Sequence, residues 1–202
     1  MDSLGRKLFI PFLIFAIAFI AIKLYPNKKI EHPPGILVNE APIQTDLEVP
    51  VFFEKDDYII TAKASFNLKA RILSIESYST DRESDLSPID FALGWGPMSD
   101  QAVLDKIEIS QSRRWYRWRT DRYPIPRRSI EINSANMHLI PATDKIEDQL
   151  EDLYVGNVVE LNGFLVYAKG KDNWFWKSSL TRDDTGNHAC EVFWVDGVTL
   201  IR

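Results

Sequence analysis

The sequence is poor in the residues that build disulfide, metal and phosphate sites. Its 202 residues include a single cysteine, Cys190, which excludes a disulfide within the chain. It has no paired-cysteine spacing, no HExxH motif and no glycine loop that would cradle a phosphate. These absences argue against zinc hydrolases of the HExxH type and P-loop enzymes, and we expect neither a cofactor nor a metal ion.

Positive charge is also scarce overall, yet it is concentrated in one segment. The chain carries a net charge of −5, but residues 112–129, SRRWYRWRTDRYPIPRRS, contain seven arginines, four aromatic rings and one aspartate. Such a segment attracts anionic partners. The alternative is that these arginines pair with the chain's own carboxylates, in the acidic helix predicted at 144–152 or in the loop Asp81–Asp85.

Near the N-terminus, fifteen uninterrupted apolar residues run from Leu8 to Ile22, and Leu24 and Tyr25 extend them. That length predicts a membrane-spanning helix over residues 8–25, which would enter the lipid bilayer and follow a short tail, residues 1–7. A cleaved signal peptide is the alternative, but the residues after the small-residue site at 16–18 stay apolar rather than turning polar.

The short basic tail predicts that the N-terminus stays in the cytoplasm, although lysines on both sides of the span nearly balance the count. We therefore expect a single-pass protein of a bacterial inner membrane with a periplasmic body. Prolines 26, 33, 34, 42 and 50 predict an extended linker over residues 26–50. One β-rich globular domain is expected over residues 51–202.

Alternating apolar residues predict that this domain is mostly strand. In residues 58–79 the apolar residues occupy even-numbered positions from Ile60 to Ala70 and odd-numbered positions from Leu73. This change of face predicts a bulge near Arg71. Residues 99–107 and 143–154 have helical spacing and capping residues. Turn signals separate the later strands, and Asp196-Gly197 predicts a hairpin. The expected fold is α+β, mostly β: a small antiparallel barrel of the oligonucleotide-binding (OB) type with one or two short helices.

Three blocks, DFALGWGPMSD, SRRWYRWR and SANMHLIPA, occur in that order. They resemble blocks of bacterial membrane-anchored proteins of unknown function. The resemblance implies an envelope location and brings no activity or catalytic residue with it.

Read as a strand, the arginine segment sorts into two faces. Tyr116 and Trp118 would face the core, whereas Arg113, Trp115, Arg117 and Arg119 would face outward. Arg127 and Arg128 follow a turn and are expected to return to the same side. Guanidinium groups offer paired donors and stack on aromatic rings. These six residues therefore predict a binding surface for an anionic lipid, a glycan or an acidic protein, and less favourably for nucleic acid.

Two alternatives remain open at this point. One is a hydrolase centred on His138, with Cys190 as a weaker candidate nucleophile or, together with His138 and His188, a zinc ligand. The other is a nucleic-acid-binding domain on the cytoplasmic side. Binding without catalysis is the leading expectation.

Overall fold

The computed structural model describes residues 29–181 and 190–202. Within them the α+β, mostly β class predicted from the sequence is confirmed. A seven-stranded sheet has the order β1-β2-β3-β6-β9-β7-β8, with β2 also pairing with β7, and a separate hairpin is formed by β4 and β5. The strands are β1 (Ile43–Lys55), β2 (Tyr58–Ser77), β3 (Ile89–Gly94), β4 (Glu108–Ser112), β5 (Trp115–Arg119), β6 (Ser134–Pro141), β7 (Val158–Gly170), β8 (Phe175–Lys177) and β9 (Glu191–Leu200).

In the described residues three short α-helices accompany the strands: α1 (Gln101–Leu104), α2 (Arg127–Ile132) and α3 (Asp144–Glu151). The helices α1 and α3 confirm the two that helical spacing predicted, and α2 is additional. The predicted membrane span, residues 8–25, lies outside the described residues. Among the residues that are described, no helix has both the length and the apolar character needed to cross a membrane.

The long strand β2 organises the sheet. Its first half pairs with β1, its last residues pair with β3, and β7 runs along its other edge. The predicted change of face is confirmed, because the β2–β3 register shifts between Ile72 and Ser74. Even-numbered positions of β2 therefore supply the buried apolar side chains before this shift, and odd-numbered positions supply the apolar side chains that pack on the core from Leu73 onward.

The predicted hairpin at Asp196-Gly197 is wrong. These residues lie inside β9, where the β7–β9 register shifts between Asn162 and Gly163. Gly163 has φ +150, and a Cβ there would lie 1.9 Å from the Trp194 carbonyl oxygen. The Asp-Gly pair thus marks a bulge in a continuous strand rather than a chain reversal.

Three clusters of buried apolar side chains are formed by residues 29–181 and 190–202. The largest lies on one face of the sheet and includes Phe66, Phe91 and Phe193. A second forms around Trp194, and a third lies beneath the β4–β5 hairpin and contains Ala92, Met98 and Ile130. The side chains of β6 that point away from the largest cluster are also buried, so other parts of the chain cover that face of the sheet. They belong to Ser134, Asn136, His138 and Ile140.

Residues 30–38, here called the N-terminal strap, lie against this body within the predicted linker. The amide of Ile30 donates to the Val155 carbonyl at 2.8 Å, and His32 Nε2 donates to the Gly156 carbonyl at 2.8 Å. Farther along, Ser99 Oγ accepts from the amides of residues 37 and 38 at 3.1 Å each. The WGPMSD block therefore supplies side chains that fasten the strap.

Candidate ligand-binding surface

The arginine segment forms one strand of a hairpin whose two faces differ. Tyr116 and Trp118 alternate with Arg117 and Arg119 along β5, and the first pair packs on the third apolar cluster. Trp115, which is 40% exposed, faces outward together with Arg117 and Arg119. The two-faced strand predicted for this segment is confirmed over Trp115–Arg119.

The turn of this hairpin consists of two arginines in the left-handed region. Arg113 has φ +53 and Arg114 has φ +66. A two-residue turn with both φ values positive matches the twist of the strands it joins, but side chains other than glycine and asparagine adopt it at a cost of about 1 kcal/mol or more each. Contacts of the turn must therefore offset that cost, and Arg114 makes them.

Arg114 turns inward and is held on three sides. Its Nη1 donates to Asp90 Oδ1 at 2.7 Å, and its Nη2 and Nε donate to the Asp81 carboxylate at 2.8 and 2.9 Å. The guanidinium carbon lies 3.7 Å from the centroid of the Tyr78 ring. The hydroxyl of Tyr78 also accepts a hydrogen bond from the Arg114 amide. We call Arg114, Asp81, Asp90, Tyr78 and His138 the hairpin anchor.

Electrostatics within the hairpin anchor favour the charged forms of Arg114 and Asp81. Burial alone would lower the pKa of Arg114, but the neighbouring carboxylates Asp81 and Asp90 raise it overall. The hydrogen bonds from Arg114 in turn hold the pKa of Asp81 below its usual value. Burial raises the pKa of the Tyr78 hydroxyl, which keeps this ring neutral beside the guanidinium.

His138 belongs to this anchor rather than to an open site. It is 3% exposed, its Nδ1 donates to Asp90 Oδ2 at 2.8 Å, and its ring lies 4.8 Å from that of Trp176. Across the described part of the chain, the bond to Asp90 is the only hydrogen bond of the imidazole. No nucleophilic side chain is therefore hydrogen-bonded to the His138 ring among those residues.

The outward arginines are held only by surface contacts. Arg119 lies 3.2 Å from Glu108, and Arg117 donates to Ser112 Oγ at 3.0 Å. Arg113, exposed at the turn, forms no ion pair with any residue that the structure describes. Exposed ion pairs contribute about 0–1 kcal/mol each, so these guanidinium groups are available to a stronger anionic partner.

Arg127 and Arg128 are placed on a different element. Both lie on α2, where they contact Glu131 at 2.8 and 3.7 Å. The structure thus gathers four of the six predicted residues, Arg113, Trp115, Arg117 and Arg119, on one hairpin, and it pairs the other two with a carboxylate of their own helix. We name the four the outward row.

A cleft of about 710 Å³ opens beside the base of the hairpin. It is lined by Arg119 from the outward row and by further residues that sequence reasoning did not single out, among them Lys106, Arg122 and Tyr123. Arg122 belongs to the same basic segment, and this position is the sequence feature that could have identified it as a candidate binding residue. The cleft adds two cations beside the outward row, together with three acids: Asp105, Glu108 and Asp121.

Cys190 and the zinc alternative receive no structural support where they can be examined. Cys190 is half-buried, and its carbonyl accepts the Ser179 amide at 3.1 Å. His188 lies outside the described residues. Residues 29–181 and 190–202 contain no group of three or more histidine, cysteine, aspartate or glutamate side chains placed to hold a metal ion.

Comparison with known proteins adds no relative. No protein-family model, curated protein or solved structure matches this chain. The geometry of the hairpin and its anchor is therefore the basis for a functional proposal.

Proposed function

We propose that this protein is a binding domain, anchored in a bacterial inner membrane through residues 8–25 and exposed on the periplasmic side, whose outward row engages an anionic envelope ligand. The ligand presents phosphate or carboxylate groups, as anionic glycans and lipid headgroups do. The observation that carries the proposal is the contrast within one hairpin: Arg114 is half-buried and fixed by two carboxylates, whereas Arg113 and Arg117 are exposed and form no ion pair with a described residue.

The different roles of Arg114 and the exposed arginines of the hairpin support binding. Because Arg114 fixes the turn and Tyr116 and Trp118 fix the strand, the backbone that carries the outward row is in place before a ligand arrives. A preorganised surface loses less conformational entropy on association. Guanidinium groups bind phosphate and carboxylate oxygens through paired donors, and the exposed Trp115 ring offers a stacking surface between them.

The strand pairings favour an OB-like barrel as the scaffold. Pairing runs from β2 through β3, β6, β9 and β7, and β7 pairs with β2 again. β6 and β9 are parallel, and α3 lies between β6 and β7 in the chain. A five-stranded barrel with a long first strand that pairs at both edges accounts for these features.

Nucleic-acid binding in the usual OB manner is less well supported. OB folds bind oligonucleotides on the outer face of their second and third strands, which correspond here to β3 and β6. On that face Asp90, Asn136 and His138 are buried, and the hairpin contributes Arg114 and Gln111 as their partners. A ligand therefore meets the outside of the hairpin instead.

The binding test uses the full chain in lipid nanodiscs and a fluorescent heparin oligosaccharide as the anionic probe. Each arginine near an anionic surface contributes about 1 kcal/mol, so the variant Arg113/Arg117/Arg119→Ala should bind on the order of 100-fold more weakly at low salt. The matched control, Arg127/Arg128→Ala, removes two arginines that lie on α2 instead of the hairpin and should change the affinity less than threefold.

Equal affinities for the two variants, or no binding by the unsubstituted chain at low ionic strength, would remove the proposed role of the outward row. A reporter fused to the C-terminus tests the side of the membrane separately. Reporter activity confined to the cytoplasm would contradict the periplasmic placement without affecting the binding result.

A further inference from the structure

A second exposed surface combines aromatic rings with lysines on the outer face of four neighbouring strands. It consists of Phe52 on β1, Ile59 and Lys63 on β2, Lys169 on β7, and Phe175 and Lys177 on β8. We call these six residues the aromatic–lysine face. Three of them are bulky and apolar yet strongly exposed: Phe52 at 64%, Ile59 at 53% and Phe175 at 58%.

Strand register brings these side chains side by side. Phe52 is opposite Thr61 on β2, and Thr61 is opposite Tyr167 on β7. In the next row, Ile59 is opposite Lys169, which is in turn opposite Phe175. The rings of Tyr167 and Phe175 stack at 5.9 Å, and Lys63 Nζ lies 5.9 Å from the centroid of the Tyr167 ring.

The charge of this face is mainly positive. Lys63, Lys169 and Lys177 are all exposed, and Glu54 is the acid that shares the face with them, opposite Ile59. At the adjoining turns, Asp57 contacts Lys171 at 2.5 Å and Asp172 contacts Arg82 at 2.6 Å, so Asp56 is the acid there that has no ion pair with a described residue. The face therefore presents cations and rings together.

We infer that the aromatic–lysine face docks onto the headgroups of an anionic lipid bilayer. Phenylalanine and tyrosine rings settle at the membrane–water interface, and lysines extend their ammonium groups towards anionic headgroups. Contiguous exposed apolar surface rimmed by charge is typical of such interaction sites. This inference rests on the proposed membrane anchor, because the anchor keeps the bilayer within reach.

The N-terminal strap sets that reach. Ile30 is fixed to the body through Val155, so only residues 26–29 separate it from the end of the predicted span at Tyr25. Five residue steps extend to at most about 18 Å. The body consequently lies close to the bilayer. The strap contact is in the loop before β7, next to Ile72 of β2, whereas the aromatic–lysine face lies at the opposite end of β2 and β7, so docking requires these strands to lie along the membrane surface.

The test places an environment-sensitive fluorophore, NBD, on Phe175→Cys in the full chain with Cys190→Ser, reconstituted into phosphatidylcholine vesicles with or without phosphatidylglycerol. Bromine-labelled lipids should quench this probe at least threefold more than a probe on Asp148→Cys, an exposed position on α3. Phosphatidylglycerol should increase the difference, and Lys63/Lys169/Lys177→Glu should abolish it. A probe on Phe52→Cys gives an independent second reading.

Flotation of the same vesicles separates the two hypotheses. A chain that floats but shows equal quenching at residues 175 and 148 contradicts docking and leaves the anchor intact. A chain that does not float contradicts the anchor and docking together. A probe at residue 175 that responds to a soluble heparin oligosaccharide but not to bromine-labelled lipid would assign this face to a polymer instead and overturn the inference.

Discussion

Replacing Arg114 by alanine tests the hairpin anchor most severely. The substitution leaves the Asp90 carboxylate, which is 0% exposed, with His138 as its remaining side-chain partner besides Ser87. Removing one member of a buried ion pair destabilises a protein by about 3–5 kcal/mol, because the other charge stays buried without its guanidinium partner. For a domain of this size that loss lowers Tm by roughly 6–20 °C.

The assay is urea unfolding of the full chain in mild detergent, followed by tryptophan fluorescence. Arg117→Ala is the matched control, since Arg117 lies on the same hairpin but donates only to Ser112 and should change the free energy of unfolding by less than about 0.5 kcal/mol. If the two variants unfold within 0.5 kcal/mol of each other, Arg114 does not anchor the hairpin as described.

Three further outcomes follow from the structure. Gly156→Ala should loosen the N-terminal strap, because a Cβ would lie 2.0 Å from the Ile30 carbonyl oxygen, and limited proteolysis should then cleave the strap at least tenfold faster while the body stays intact; unchanged cleavage would contradict the strap contact. The stabilisation from Asp81, whose folded pKa is lowered, is complete above its unfolded pKa of about 3.9 and is lost as pH falls through the folded value. Unfolding free energy measured against pH should therefore fall more steeply below pH 4 in the unsubstituted chain than in Asp81→Asn, and identical profiles would refute the pair. His138→Ala should cost about 1–3 kcal/mol of stability without changing heparin affinity, whereas loss of a hydrolytic activity at unchanged stability would support the enzyme alternative.

Alternation along the chain predicts the local parts of the fold well. The faces of β2 and β5 follow from the parity of their apolar residues, and so does the register shift after Ile72. A period of two residues is a strong local signal, because one face of each strand is buried. The helix α3 is similarly evident from its cap and spacing.

Turn signals are less reliable where tertiary pairing overrides them. Asp196-Gly197 has the composition of a hairpin turn, but β9 continues through it because β6 and β7 pair with its two edges. The helix α2 was missed because Pro124 and Pro126 read as a turn, whereas Pro126 precedes the helix as its N-cap residue.

The hairpin anchor was beyond local reasoning. Arg114 meets Asp90 across 24 positions of sequence, and Asp90 meets His138 across 48. The sequence names the loop Asp81–Asp85 as one partner for the arginine segment, and the ion pair between Arg114 and Asp81 confirms this alternative for Arg114. It does not identify Asp90 as the second partner, and it offers His138 as a candidate for catalysis. Arg114, Asp90 and His138 meet because β3 pairs with β6 and the β4–β5 hairpin packs over both strands.

The most direct measurement of the central claim is the fluorescence response to a bound anion. Trp115 is the tryptophan of the outward row, whereas Trp118 packs beneath the hairpin. The account predicts that a heparin oligosaccharide changes the emission of the full chain in nanodiscs and that Trp115→Phe removes this change, while Trp118→Phe retains it. A response of the same size in Trp115→Phe would contradict ligand binding at the outward row.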